Sequence, residues 1–132
     1  MLSLRTCLTL ILDTHALIWI GSDSPRLNAR ARGAIESASA TLFVSAVTAW
    51  EYADLRERGR IPEAAALGQL QDMLGFELLD FPAAAWPLAT ALPNIHRDPV
   101  DRMLVAQATA EGITLITSDS VVAGYPGPMQ LV

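Results

Sequence analysis

Four acids stand where this chain changes from one element to the next: Asp13, Glu51, Asp101 and Asp119, with Asp98 a fifth beside Asp101. Asp13 closes the apolar run Leu8-Thr9-Leu10-Ile11-Leu12, and Thr14 and His15 follow before apolar residues resume at helical spacing. Such a run reads as a buried strand. A buried parallel strand tolerates no charge in its interior, so an acid at its end points into the crevice where open α/β sheets bind ligands. Several carboxylates in one crevice repel each other unless something positive sits between them. Hard divalent cations with oxygen ligands are the natural answer. A Mg²⁺ site of that kind can activate a water and stabilise the leaving oxygen in phosphodiester cleavage.

The acids need elements to hold them. A first strand over Leu8–Leu12 leads into a short helix over His15–Ile20, ended by Gly21-Ser22-Asp23. Ser24-Pro25 has the form of a helix start, a capping serine followed by proline, and predicts a second helix to about Ser37. Thr41–Val44 reads as a second strand. Ser45 then caps a helix through about Arg58, closed by Gly59, and Ile61-Pro62 opens another to about Leu74. Gly75 precedes a third strand over Phe76–Leu79, and Pro82–Leu92 is helical around Trp86. After a loop over Pro93–Asp98 come a helix over Pro99–Glu111, a stop at Gly112 and a fourth strand over Ile113–Thr117. Met129–Val132 adds an edge strand. Alternating strands and helices predict right-handed crossovers and a mainly parallel sheet covered on both faces, in one domain over residues 1–132. Strand carboxyl ends and the helix starts that follow them share one edge of such a sheet. Asp13, Glu51 and Asp119 then converge without special folding. Asp101 joins them if its helix begins at the same edge.

Each acid also has a plain structural reading. Glu51 follows Thr48 by three, the spacing of a capping box. Asp98-Pro99-Val100-Asp101 is a cap, a proline and a first-turn acid. Asp119 can cap the segment after it. Convergence of the set, rather than any member, carries the chemistry. His15 reads as a packed, hydrogen-bonded histidine and His96 as an orienting or structural one. Trp19 and Trp50 read as core, whereas Trp86 fits core, an interface or a base-stacking platform. Arg97 and Arg102 flank Asp98 and Asp101, and suit either a substrate phosphate or the neighbouring carboxylates. Arg56, Arg58 and Arg60 form the dense basic patch, read as a solvated helix end. Steering of a phosphate-bearing substrate is the alternative for that patch.

Composition narrows the classes. The 132 residues are 52% apolar, enough for a core, and disorder is disfavoured. The single cysteine, Cys7, excludes a disulfide framework or a cysteine metal cage and fits a reducing cytoplasm. No signal peptide is recognisable, and no run approaches the ~20 apolar residues of a membrane span. All nine basic residues are arginine and the net charge is −5, which argues against a general polyanion binder. An acid cluster filled by divalent cations would account for most of that excess. An aspartyl-phosphate phosphatase is disfavoured because His15, not a second acid, stands two residues after Asp13, and because the chain has no lysine. Dinucleotide binding lacks its glycine fingerprint.

Four blocks resemble the PIN domain family, and within it the VapC-type toxins of bacterial toxin–antitoxin pairs. They are Leu10-Ile11-Leu12-Asp13-Thr14-His15-Ala16-Leu17, Val44-Ser45-Ala46-Val47-Thr48-Ala49-Trp50-Glu51, the stretch from His96 to Ala108, and Leu115-Ile116-Thr117-Ser118-Asp119. They fall in the expected order and span nearly the whole chain. The resemblance implies a three-layer α/β/α sandwich and an endoribonuclease dependent on Mg²⁺ or Mn²⁺. It maps the metal-binding acids onto Asp13, Glu51, Asp101 and Asp119. Asp98 matches a frequent acid of this branch, and the small polar neighbour of the last acid matches Thr117 or Ser118. It further implies an RNA substrate, a homodimer and a small VapB-type antitoxin, often with a basic tail entering the site. Departures are Val100, where this branch often has an aromatic, and a short glycine-rich tail after Asp119. The alternative reading is a catalytically silent module of the same fold that holds a partner's basic segment in the acidic pocket.

Overall fold

The computed structural model describes residues 8–94, 97–125 and, for the backbone, 129–131. Strand β1 (Leu8–Leu12) is followed by α1 (Thr14–Gly21), α2 (Ala29–Glu36), β2 (Ala40–Ser45), α3 (Ala46–Glu57) and α4 (Leu67–Leu74). Then come β3 (Glu77–Leu79), a 3₁₀ turn (Ala83–Ala85), α5 (Trp86–Ala91), α6 (Pro99–Glu111), β4 (Thr114–Thr117), α7 (Ser120–Ala123) and β5 (Met129–Leu131). The strands form one sheet in the order β3-β2-β1-β4-β5, and every pairing is parallel. The order reverses between β1 and β4, which makes that pair the topological switch point.

Alternation along the strands feeds two cores. Leu10 and Leu12 of β1 join Leu42, Val44 and Ile116 on one face, where α1, α2, α3 and α4 contribute Leu17, Ile35, Tyr52 and Leu70. Ile11 and Leu115 point to the other face, against Leu104, Val105 and Ala108 of α6 and Val122 of α7. The result is the three-layer α/β/α sandwich, with Leu10–Leu12 of β1 buried from both sides. Each fully buried Ile or Leu of that strand stabilises by roughly 1.5–3 kcal/mol relative to exposure. No helix among the described residues is long and apolar enough to cross a membrane.

Most helix ends follow their local signals. Ser45 caps α3 by accepting from Val47 N–H at 3.1 Å, and Asp98 caps α6 ahead of Pro99. Gly75 and Gly112 end α4 and α6 in the left-handed region, with φ of +71° and +66°. Two predicted starts are displaced. Ser24-Pro25 opens no helix: the Ser24 hydroxyl takes the Arg26 N–H at 3.2 Å in a local turn, and α2 begins at Ala29 under an Asn28 cap. Likewise 61–66 is irregular and α4 begins at Leu67. There the Tyr52 hydroxyl donates to the Ala65 carbonyl at 2.6 Å, so a tertiary bond holds a segment that proline placement suggested was helical. The expected edge strand forms over Met129–Leu131.

Candidate active site

Asp13 is the centre of the carboxyl edge. It directly follows β1, is 4% exposed, and caps α1 with an extended backbone. Its Oδ1 accepts from Ala16 N–H at 2.7 Å and its Oδ2 from Ser118 N–H at 2.9 Å. The Thr117 hydroxyl adds a further hydrogen bond to this carboxylate. The Asp13 N–H in turn donates to the Ile116 carbonyl at 3.0 Å. The carboxylate therefore straddles the ends of β1 and β4 at the switch point. Burial pushes its pKa up, and the hydrogen bonds from Ala16, Ser118 and Thr117 oppose that shift. The competition is physical: taking a carboxylate from water disfavours its charged form, and N–H donors favour it.

Glu51 reaches the same edge from the second turn of α3, half-buried. The Thr14 hydroxyl, one residue beyond Asp13, donates to Glu51 Oε1. The capping-box reading of Glu51 fails: the helix is capped by Ser45, three residues before Thr48, and Thr48 is buried inside the first turn. Asp119 lies two residues past β4 and caps α7, with Oδ1 accepting from Val121 N–H at 2.8 Å and Val122 N–H at 3.4 Å. Its own N–H donates to Thr117 Oγ1 at 3.1 Å. Thr117 thus meets the Asp13 carboxylate with its side chain and Ser118 with its backbone.

Asp101 sits half-buried in the first turn of α6, beside the cap Asp98, which accepts from Val100 N–H at 2.9 Å. Helix α6 turns into β4 through Gly112 and Ile113 alone. Its 13 residues span about 20 Å, so its start lies far from the amino end of β4. The next residue, Arg102, donates to Tyr125 Oη at 3.2 Å, just beyond α7, whose cap is Asp119. That contact ties the first turn of α6 to Tyr125, just past α7. Asp13, Glu51 and Asp119 are linked through Thr14, Thr117 and Ser118, and Asp101 lies in the first turn of α6.

Among the described residues, no three histidine, cysteine, aspartate or glutamate side chains are placed to ligate one ion together. The donor set is nonetheless all oxygen, which suits a hard cation. Mg²⁺ characteristically uses one or two carboxylates and completes its shell with water and substrate phosphate.

The remaining candidates separate clearly. His15 is exposed, which corrects its reading as a packed histidine, and its ring lies 6.0 Å from that of Trp19, one turn on. His96 lies outside the described residues, as does Cys7. Trp19 is half-buried against the core, but Trp50 is 62% exposed, which corrects its assignment to the core; Trp86 is 61% exposed. Arg56 donates to the Ala64 carbonyl at 3.0 Å and Arg58 pairs with Asp54 at 3.1 Å, as a solvated helix end would. Arg97 is exposed. Arg102 spends both terminal nitrogens on the end of α5, donating to the carbonyls of Ala89, Leu92 and Pro93 at 2.8, 3.2 and 3.1 Å. A largely apolar groove of about 380 Å³ lies on another side, between α1, α3 and α4, and none of the candidate acids lines it. Sequence reasoning missed Thr14 as a functional residue. Its signal was available, a hydroxyl beside the strand-ending acid, but its partner was not.

Comparisons agree with this architecture. The PIN domain family model matches residues 10–127. Ribonuclease VapC22 of Mycobacterium tuberculosis is 34% identical over 125 residues, covering 91% of this chain and 94% of that protein. Among solved structures, DNA-bound VapBC from Salmonella typhimurium superposes with a TM-score of 0.66 at 21% identity, covering 93% of this chain and 97% of that one. VapBC2 from Rickettsia felis, bound to a DNA fragment from its promoter, gives a TM-score of 0.65 at 17% identity, covering 94% and 98%.

Proposed function

This chain belongs to the PIN domain family, and on that premise we propose that it is a divalent-metal-dependent endoribonuclease, the toxin of a toxin–antitoxin pair. The observation that carries the reading is Asp13: a carboxylate buried at the switch point, its two oxygens oriented by the N–H of Ala16 in the first turn of α1 and the N–H of Ser118 just past β4. The similarity to Ribonuclease VapC22 over nearly the whole of both chains supports RNA as the substrate. A Mg²⁺ or Mn²⁺ ion here would supply an activated water and neutralise charge on the cleaved phosphodiester.

The chain's own contribution is to hold its oxygens still. Asp13 is the fixed member, since rotation of its carboxylate would break one of two N–H bonds. Glu51 is oriented by Thr14. Asp119 is oriented by its cap on α7, and Asp101 is carried in by α6. Asp98 acts as the cap that fixes where α6 begins. Fixed ligands of this kind lower the cost of organising the site when substrate arrives. The partner on this reading is a small VapB-type antitoxin, and the structural neighbours are VapBC structures with bound DNA.

The test is cleavage of total cellular RNA by the purified, antitoxin-free chain with Mg²⁺ or Mn²⁺, with EDTA, and with Asp101→Asn. Discrete fragments that need metal and vanish in the variant are expected. Folded protein that neither cleaves RNA nor binds Mn²⁺ in calorimetry would overturn the enzyme and leave a silent binding module.

A further inference from the structure

Helix α7 is a single turn of four residues, Ser120–Ala123, too short to hold its shape without support from outside. Its start is held by Asp119, which caps it and whose own N–H donates to Thr117 Oγ1 at 3.1 Å. Its end is held by Tyr125, two residues on. The Tyr125 N–H donates to the Val122 carbonyl at 3.1 Å, and the side chain is 3% exposed in the core on the α6 side of the sheet, with Leu104, Val105 and Val122. A buried tyrosine ring still needs a polar outlet for its hydroxyl. Here the hydroxyl accepts from Arg102 Nη1 at 3.2 Å, across 23 positions of chain. The same guanidinium donates to the carbonyls of Ala89, Leu92 and Pro93. One planar fork thus gathers the end of α5, the first turn of α6 and the segment after α7. Two of the candidate acids stand at the ends of this linkage. Asp101 directly precedes Arg102, and Asp119 caps the helix that Tyr125 closes.

We propose that Tyr125 is a positioning residue of the acid site, its hydroxyl holding Arg102 so that α7, with Asp119 at its cap, keeps a fixed placement relative to the first turn of α6 and Asp101. The inference rests on the metal-dependent reading above and adds a residue that acts through Arg102 and α7 rather than on the RNA. A one-turn helix has no stiffness of its own with which to aim its cap. Core packing of the ring is non-directional, whereas a bond from a charged guanidinium has a set length and angle. Groups outside the ligand set that orient the ligands govern metal affinity.

The test compares the full chain with Tyr125→Phe, which keeps the ring and removes the hydroxyl. Mn²⁺ affinity is read by calorimetry without RNA, Tm is read in EDTA, and cleavage is read on whichever cellular RNA the wild-type protein cuts. At a temperature where both proteins are folded, Tyr125→Phe is expected to weaken Mn²⁺ binding about 10-fold and to raise the Mn²⁺ needed for half-maximal cleavage in parallel. KM for RNA at saturating Mn²⁺ is expected to stay unchanged. Added to Arg102→Ala, Tyr125→Phe is expected to shift the Mn²⁺ Kd by no more than about 2-fold further, because the hydroxyl acts through that guanidinium. A lowered Tm with an unchanged Mn²⁺ Kd makes the bond a structural tie and overturns the positioning role, leaving the ribonuclease standing. Effects of the two substitutions that add in full also overturn it. Wild-type protein that neither binds Mn²⁺ nor cleaves RNA overturns both readings.

Discussion

The Ser118 N–H donates to Asp13 Oδ2 at 2.9 Å, joining the residue after β4 to the residue after β1 across 105 positions of chain. The other oxygen is taken by Ala16 N–H at 2.7 Å. Asp13→Asn keeps one carbonyl oxygen for one of these donors, but must turn its NH₂ toward the other. The variant is expected to lose metal-dependent RNA cleavage while retaining its circular dichroism, at a cost of about 1–2 kcal/mol in stability. Cleavage assays beside denaturant titrations check both halves. Full activity in Asp13→Asn would sink the assignment of this carboxylate.

Burial holds the Asp13 pKa above its ordinary value of 3.8. The folded chain therefore binds this proton more tightly than the unfolded chain does. Between 3.8 and the raised folded value, the folded state carries more protons, so this group's contribution to stability falls as pH rises, and stays reduced above that window. A divalent cation favours the ionised form. Mg²⁺ or Mn²⁺ is therefore expected to raise Tm more at neutral than at mildly acidic pH. Thermal unfolding at several pH values, with the metal and with EDTA, reads this directly. The metal-induced rise should shrink in Asp13→Asn; a rise independent of both pH and that substitution would place the bound cation elsewhere.

Thr14 offers a test of orientation rather than ligation. Its hydroxyl donates to Glu51 Oε1, and valine has nearly the same shape without the donor. Thr14→Val is expected to leave the fold in place and raise the Mn²⁺ concentration needed for half-maximal cleavage about 10–100-fold. Glu51→Gln should lose more, since it removes the carboxylate itself. An unchanged metal requirement in Thr14→Val would show that Glu51 needs no such support.

How much of this was legible beforehand follows from the range of each interaction. The strand and its acid were legible at Leu10–Asp13, because burial on both faces leaves Leu10, Ile11 and Leu12 all apolar until the acid at the strand's end. The caps at Ser45 and Asp98 were legible for the same local reason. Ser24-Pro25 misled because a serine and a proline suit a tight turn as well as a helix start, and Asn28 supplies the better-placed cap. Trp50 misled because an apolar residue on a helix does not reveal which face is covered, and at 62% exposure it lies on the open side. The Thr14–Glu51 pair was out of reach, since 37 residues separate them and only the packing of α1 beside α3 brings them together. Glu51 itself was visible as an acid on the right edge, but the capping-box spacing with Thr48 obscured it.

Arg102 is part of the frame that holds the start of α6. Its Nη2 donates to the carbonyls of Ala89 and Leu92, and its Nη1 to the Pro93 carbonyl and to Tyr125 Oη. Carbonyls at the end of a helix have no intrahelical partner, so one guanidinium satisfies what the end of α5 leaves open. Arg102→Ala removes charge-assisted bonds from a half-buried position and is expected to cost about 1.5–3 kcal/mol. Arg102→Lys restores the charge but not the planar fork, and should recover only part of that stability. Thermal unfolding of the two variants in parallel decides the matter. If Arg102→Ala unfolds at the wild-type temperature, the guanidinium is not holding α5 to α6.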